Sequence, residues 1–211
     1  EALGASGLPQ PTFASLRSAS DVDAALGAVR FPAVLKPVDS GGQRAVFRIE
    51  SRDELERDLP EAIAESPTNE ALLEEFVEGI ELNGIVIARG GEPALVTLSD
   101  RLRPPGIGFG VGWTHVYPPS IPPEQLRRCE EVAVESVRAL GLRDAIAFPQ
   151  LIASPEGGVA VIEVAARIPG GQMADLVRPL AADAQRDHLV VGPEGAVDHH
   201  CVGAGHGVEH G

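Results

Sequence analysis

The sequence predicts an α+β fold, on three observations. Short apolar strands are interspersed with amphipathic helices over most of the 211 residues. Several neighbouring strands are joined by glycine turns, which makes hairpins rather than the long crossovers of a parallel doubly wound sheet. No repeat of solenoid length runs through the chain. The length suits one large domain or two small lobes with a real core.

The elements follow in order. "SASDVDAALGAVRF", from Ser18, opens with Ser/Asp capping residues and reads as a short helix. "PAVLKPV" is a strand, "DSGGQ" a loop, and "RAVFRIE" a second strand. "SRDELERDLPEAIAES" starts with a capping box, Ser51 with Glu54, and is a helix that Pro60 is expected to break or kink. "ALLEEFV" is a strand, and "ELNGIVIAR" with "EPALVTLSD" form a hairpin across Gly90 and Gly91. "RPPGIGFGVGWTHVYPPSIPP" is a Gly/Pro-rich loop of lid length, carrying Trp113 and His115. "PEQLRRCEEVAVESVRALG" is the longest helix and stops at Gly141. "DAIAFPQLIAS" and "GVAVIEVAAR" are strands around "PEGG", and a helix is expected from "GGQMADLVRP".

From about Gln185 the pattern fails. Residues 185–211 hold five of the six histidines and little apolar periodicity, which reads as an irregular, disordered tail. A metal reading of His199, His200, Cys201, His206 and His210 exists, but their spacing matches no closed zinc pattern. The division expected is therefore 1–75, 76–184 and the tail 185–211.

Charge and composition exclude several functions. A formal net charge of −14 opposes non-specific nucleic-acid binding, which needs a basic surface. No apolar run reaches bilayer length, so no membrane partner is expected. Two cysteines make no disulfide framework and fit a reducing cytoplasm. The only methionine is Met173, so a preceding segment is expected to be missing. Lys36 is the only lysine among 17 basic residues. A chain that otherwise writes arginine breaks that habit where a compact ammonium is needed.

Three stretches carry chemistry. In "VIEVAARIPGG", Glu163, Ala165 and Arg167 lie two apart and share one face of an extended strand. A turn centred between Glu156 and Gly157 sets Gln150 directly opposite Glu163, with Cβ atoms roughly 5 Å apart. An amide oxygen and a carboxylate at that spacing suit a hard cation such as Mg2+, and Arg167 would offer a phosphate two donors. The same residues would also serve as an ordinary cross-strand polar pair. In "KPVDSGGQRAV", Lys36 ends a strand before Gly41 and Gly42, which can adopt the positive φ of an anion nest. In "LLEEFVEGIEL", the strand end before Gly79 offers backbone groups to an adenine edge and Glu81 to ribose hydroxyls, although taken alone the stretch reads as a solvated acidic strand end.

These three pieces, in this order, resemble the ATP-grasp superfamily over nearly residues 1–180. The resemblance implies two α+β lobes gripping ATP between antiparallel sheets. It places Lys36 on the phosphates and Ser40, Gly41, Gly42, Gln43 and Arg44 in a flexible cover. Glu74, Glu75, Phe76, Val77 and Glu81 would hold adenosine. Gln150 and Glu163 would hold Mg2+ (or Mn2+), with Arg167 on the transferring phosphoryl group and His115 near substrate. Departures stand out: Ala165 occupies a position where relatives usually carry asparagine, Gln150 one where many carry an acid (carbamoyl-phosphate synthetases tolerate glutamine), and Ala45 one where glycine is common.

The implied activity is ligation of a small carboxylate to an amine through an acyl phosphate, with a homodimer allowed. A bicarbonate-phosphorylating carboxylase or carbamoyl-phosphate-synthetase-like enzyme is the first alternative. A non-catalytic ATP-binding module is the second.

Overall fold

The computed structural model describes residues 2–42, 44–103 and 114–168, and the backbone of Leu189–Val191 and Val197–Asp198. Its elements run α1 (Ala2–Ala5), β1 (Phe13–Leu16), a 3-10 turn (Ala19–Asp21), α2 (Val22–Ala28), β2 (Ala33–Pro37), β3 (Phe47–Ile49) and α3 (Arg52–Glu65). There follow β4 (Ala71–Glu75), β5 (Ile80–Arg89), β6 (Glu92–Leu102), β7 (Thr114–Tyr117), α4 (Pro123–Ala139), β8 (Ala145–Ala153) and β9 (Val159–Ala165). The short strands β10 (Leu189–Val191) and β11 (Val197–Asp198) complete the order.

Two antiparallel sheets result, one four-stranded in the order β1-β4-β2-β3, the other seven-stranded in the order β11-β10-β7-β6-β5-β8-β9. Among the described residues, helices pack on one face of each sheet. Leu16, Val22, Leu35, Ile49, Leu55, Leu59 and Leu73 are the heart of the first core, where α2 and α3 pack on the small sheet. Cys129, Val132, Ala133 and Val137 of α4 pack on Leu82, Val86, Leu98 and Leu151 of the large one. Because strand side chains alternate, the residues between these core positions must point to the other face. In β2, Ala33, Leu35 and Pro37 are buried while Val34 and Lys36 are partly exposed. The uncovered faces of the two sheets are where polar residues collect.

Several expectations need correction. The strand β1 lies in "FASL", just upstream of the expected first helix, which itself is a 3-10 turn followed by seven α-helical residues. The strand expected over "RAVFRIE" shrinks to three residues. Pro60 neither breaks nor ends α3. It sits on the exposed side, so the carbonyl that loses its N–H partner can turn to water, while Leu55, Leu59 and Ala62 hold the helix from below. The capping box is half formed: Ser51 accepts from the Glu54 amide, but Glu54 reaches back to the amide of Glu50 rather than Ser51.

The expected loop 103–123 contains β7, pulled into the sheet beside β6. Residues 104–113, including Trp113, lie outside the described residues, as does the helix expected from Gly170. Within the stretch read as an irregular tail, β10 and β11 extend the edge of the large sheet. Among the described residues, no helix is long and apolar enough to cross a membrane.

Candidate active site

The uncovered faces of the two sheets border a cleft of about 890 Å³. Lys36 and Glu74 line it from the small sheet; Glu81, Arg101, Gln150 and Glu163 line it from the large one. The hinge residues Glu75, Phe76, Val77 and Gly79 close one end. Gly79 has φ 155°, and a Cβ there would lie 2.3 Å from the Ala153 carbonyl oxygen. No side chain fits that crossing, so glycine is required where the chain passes from one sheet to the other.

Lys36 projects from the end of β2 and is anchored twice. Its Nζ lies 2.8 Å from a Glu74 carboxylate oxygen and donates to the Ile162 carbonyl at 3.0 Å. The first contact joins neighbouring strands of the small sheet; the second spans the cleft. Burial pushes the Glu74 carboxyl above its ordinary pKa, and the Lys36 ammonium works against that shift. An ammonium held at the cleft mouth by one carboxylate and one carbonyl is positioned to exchange those oxygens for phosphate oxygens.

The Gln150–Glu163 pairing is present, but by another route than the turn geometry suggests. Next to the hairpin, Ile152 pairs with Ala160 and Leu151 with Val161, a register that would carry Gln150 opposite Ile162. A bulge between Gln150 and Leu151 absorbs one residue of β9, and Glu163 arrives opposite Gln150. The bulge also frees the Ile162 carbonyl that Lys36 holds. Register, lysine anchor and paired oxygens thus depend on one irregularity.

Arg167 lies beyond the end of β9 and outside the cleft lining. β9 stops at Ala165, and the exposed Arg167 side chain donates to the carbonyl of Ile168 at 3.3 Å. His115 lies on β7, directly across from Arg101 and outside the cleft lining. One ring nitrogen of His115 lies 3.2 Å from the Ser99 hydroxyl. Burial, helped by the Arg101 charge, lowers its pKa to about 4, so the ring is neutral at pH 7. In the glycine loop, Gly42 has φ 78° as an anion nest requires, but Ala45 is held at φ 51°, which an L side chain tolerates poorly. Arg44 pairs with Glu65 at 2.8 Å, and among the described residues the buried Ser40 hydroxyl has no partner. Gln43 lies outside the described residues. Glu81, read as a hydroxyl acceptor, is paired with Arg101 at 3.1 Å and with Arg103.

Arg101 and Arg103 are the residues that sequence reasoning missed. Both line the cleft, and Arg101 is only 9% exposed. Burial lowers the pKa of each, and at Arg101 the Glu163 charge acts in the opposite direction. Two arginines spaced two apart at the end of "LVTLSDRLR" were the available signal, the same spacing logic applied to Glu163. Arg48 was missed too; its guanidinium lies 4.3 Å from the centre of the Phe76 ring, roofing the apolar end of the cleft.

The oxygen donors fit a hard divalent ion rather than zinc. One carboxylate and one amide face each other, and among the described residues no cluster of three His, Cys, Asp or Glu side chains exists. Two protein oxygens leave most of an octahedral shell to water and ligand oxygens.

Similarity to known proteins agrees with this architecture. The family model described as "D-ala D-ala ligase C-terminus" matches residues 3–180. A D-alanine–D-alanine ligase of Desulforudis audaxviator is 28% identical over 204 residues, covering 87% of this chain and 66% of that protein. An L-amino acid ligase from Bacillus licheniformis superposes with a TM-score of 0.67 at 25% identity, over 82% of this chain and 40% of that one. The biotin carboxylase of Campylobacter jejuni superposes with a TM-score of 0.73 at 16% identity, over 90% of this chain and 48% of that one, a likeness of fold alone. The chain spans less than two thirds of the length of each of these relatives. With its two one-side-covered antiparallel sheets and the cleft between them, the chain has the ATP-grasp fold and belongs to the family of D-Ala–D-Ala ligase C-terminal domains.

Proposed function

We propose that the chain is the ATP-grasp part of an ATP-dependent ligase that joins a small carboxylate to an amine. The carrying observation is the convergence of Lys36, Arg101 and Arg103 with the Gln150–Glu163 oxygen pair on one cleft. Cations on both walls and a carboxylate–amide pair on the floor are the parts that phosphoryl transfer requires.

In this reading the adenine sits at the hinge, against Phe76, Val77 and Ile152, and Glu81 accepts ribose hydroxyls once released by its arginines. Lys36 leaves Glu74 for the phosphates. Arg101 and Arg103 neutralise charge as it builds on the transferring group. Mg2+ or Mn2+, held by Gln150 and Glu163, would supply charge neutralisation of the phosphates. A carboxylate oxygen attacks the terminal phosphorus and ADP leaves; the amine then attacks the acyl carbon and phosphate departs with that carboxylate oxygen. Ser40, Gly41, Gly42, Gln43 and Arg44 remain the proposed cover, and Glu74 and Glu75 part of the adenosine cradle. Arg167 and His115 are kept as supporting residues, since neither is among the residues lining the cleft.

The lobes are assigned as 1–75 and 76–184, with 185–211 as a tail. A cytoplasmic homodimer acting on free small molecules completes the reading. The test is a screen of D- and L-amino acids for ATP-dependent phosphate release, with the carboxylate labelled by ¹⁸O. Label in the released phosphate supports carboxylate activation. ATP consumption stimulated by bicarbonate alone would favour the carboxylase alternative, and binding without consumption the non-catalytic one.

A further inference from the structure

Four polar side chains form a continuous row across the large sheet, running from Glu163 and Gln150 in the cleft lining to Asn83 and Ser99 beside it. Ser99 of β6 is opposite Asn83 of β5, Asn83 opposite Gln150 of β8, and Gln150 opposite Glu163 of β9. Directly opposed residues of antiparallel strands share a face, with Cβ atoms roughly 5 Å apart. Glu163 opens to the cleft, while Ser99, Asn83 and Gln150 are all more than nine-tenths buried.

Among the described residues, the Asn83 side-chain oxygen is buried and accepts no hydrogen bond. A buried amide oxygen normally finds a donor, and the exceptions mark a partner that arrives with a ligand or a rearrangement. Ser99 is not that donor, because its hydroxyl is engaged with the His115 ring at 3.2 Å and lies 3.5 Å from the Asn83 backbone carbonyl. Of the two residues directly opposite Asn83, that leaves Gln150, which is flanked by Asn83 on one side and Glu163 on the other. A glutamine amide carries its oxygen and its NH2 on opposite prongs.

We propose that Asn83 is a positioning residue for the metal site. When a divalent ion binds beside Glu163, the Gln150 NH2 turns toward Asn83 and donates to the waiting oxygen, which aims the Gln150 oxygen at the ion. The device matters here because Ala165 brings no oxygen, so the orientation of Gln150 decides half of the protein's contribution. An acid at 150 has no N–H to give; an amide does. The inference rests on the nucleotide–metal reading given above.

The test is Mn2+ binding, followed by electron paramagnetic resonance, to the full chain saturated with ADP. Asn83→Leu removes the acceptor at similar volume and is expected to weaken Mn2+ binding about tenfold or more, the usual effect of losing an outer-shell partner. ADP affinity without metal should stay unchanged. Asn83→Asp keeps the acceptor and is expected to stay within about threefold of wild type. The decisive comparison is the double variant: Asn83→Leu added to Gln150→Leu should cost nothing further, because the first residue acts through the second. Wild-type Mn2+ affinity in Asn83→Leu, or additive losses in the double variant, would overturn the inference. Should Asn83→Leu fail to fold, Asn83→Ser, whose oxygen is too short to reach Gln150, carries the same expectation. A wild-type complex that takes up no Mn2+ would instead overturn the nucleotide–metal reading, and this inference with it.

Discussion

At the scale of single residues, the cleft is defined by charges kept out of water and held by each other. Lys36 and Glu74 form a half-buried pair whose worth lies in placement more than stability, since desolvation offsets much of the attraction. His115 sits on β7 opposite Arg101. Its ring is kept neutral by burial and by Arg101. The unfolded chain takes up a proton near pH 6.5 and the folded one only near pH 4. Stability from this group is therefore full above about pH 6.5 and lost as the pH falls toward 4, by up to about 3 kcal/mol. Chemical denaturation between pH 7 and pH 4.5 should show this loss, and His115→Gln should flatten the curve. An unchanged slope in that variant would mean that other groups govern the acid limb.

At the scale of elements, two positions separate what the sequence displays from what only packing decides. Pro60 carries a strong local signal to stop a helix, and the buried stripe of Leu55, Leu59 and Ala62 overrides it. Pro60→Ala restores a backbone donor and is expected to raise stability by about 1–2 kcal/mol, seen as a higher Tm. Gly79 is the opposite case. A methyl group there meets backbone, not a yielding side chain, so Gly79→Ala is expected to cost at least about 2 kcal/mol and to shift the hinge. Nucleotide affinity should fall with it, measured by titration calorimetry. Strands β4, β5, β6, β8 and β9 were legible because their apolar runs are long and bounded by turn residues, whereas β7, β10 and β11 were hidden in stretches read as loop and tail. β1 was missed because four residues show too little alternation, and the bulge in β9 because no residue type announces it. That bulge also explains why the Gln150–Glu163 pair was legible for an incomplete reason. Arg167 follows the end of β9, so the spacing of two no longer guarantees it the face of Glu163.

At the scale of the whole molecule, each sheet spends one face on a helical core and turns the other to the cleft. The two strand ends that matter most, at Lys36 and at Glu163, meet across it through a single hydrogen bond to the Ile162 carbonyl. That contact ties the register of the large sheet to the lysine of the small one. It also predicts how ligand binding begins, with phosphates replacing Glu74 and Ile162 as partners of the ammonium. Order along the chain made this arrangement readable: the lone lysine, the acidic hinge and the "VIEVAAR" strand stand in the sequence in the order in which they surround the cleft. Arg101 and Arg103 were hidden because their significance comes from β6 lying between β5 and β7. The most direct measurement is calorimetric titration of ATP, with and without Mg2+, into the wild type, Lys36→Ala and Glu163→Gln. The account predicts binding by the wild type, at least about tenfold weaker binding by folded Lys36→Ala, and retained binding without Mg2+ enhancement by Glu163→Gln. Equal ATP affinity and equal Mg2+ response in all three proteins would contradict it.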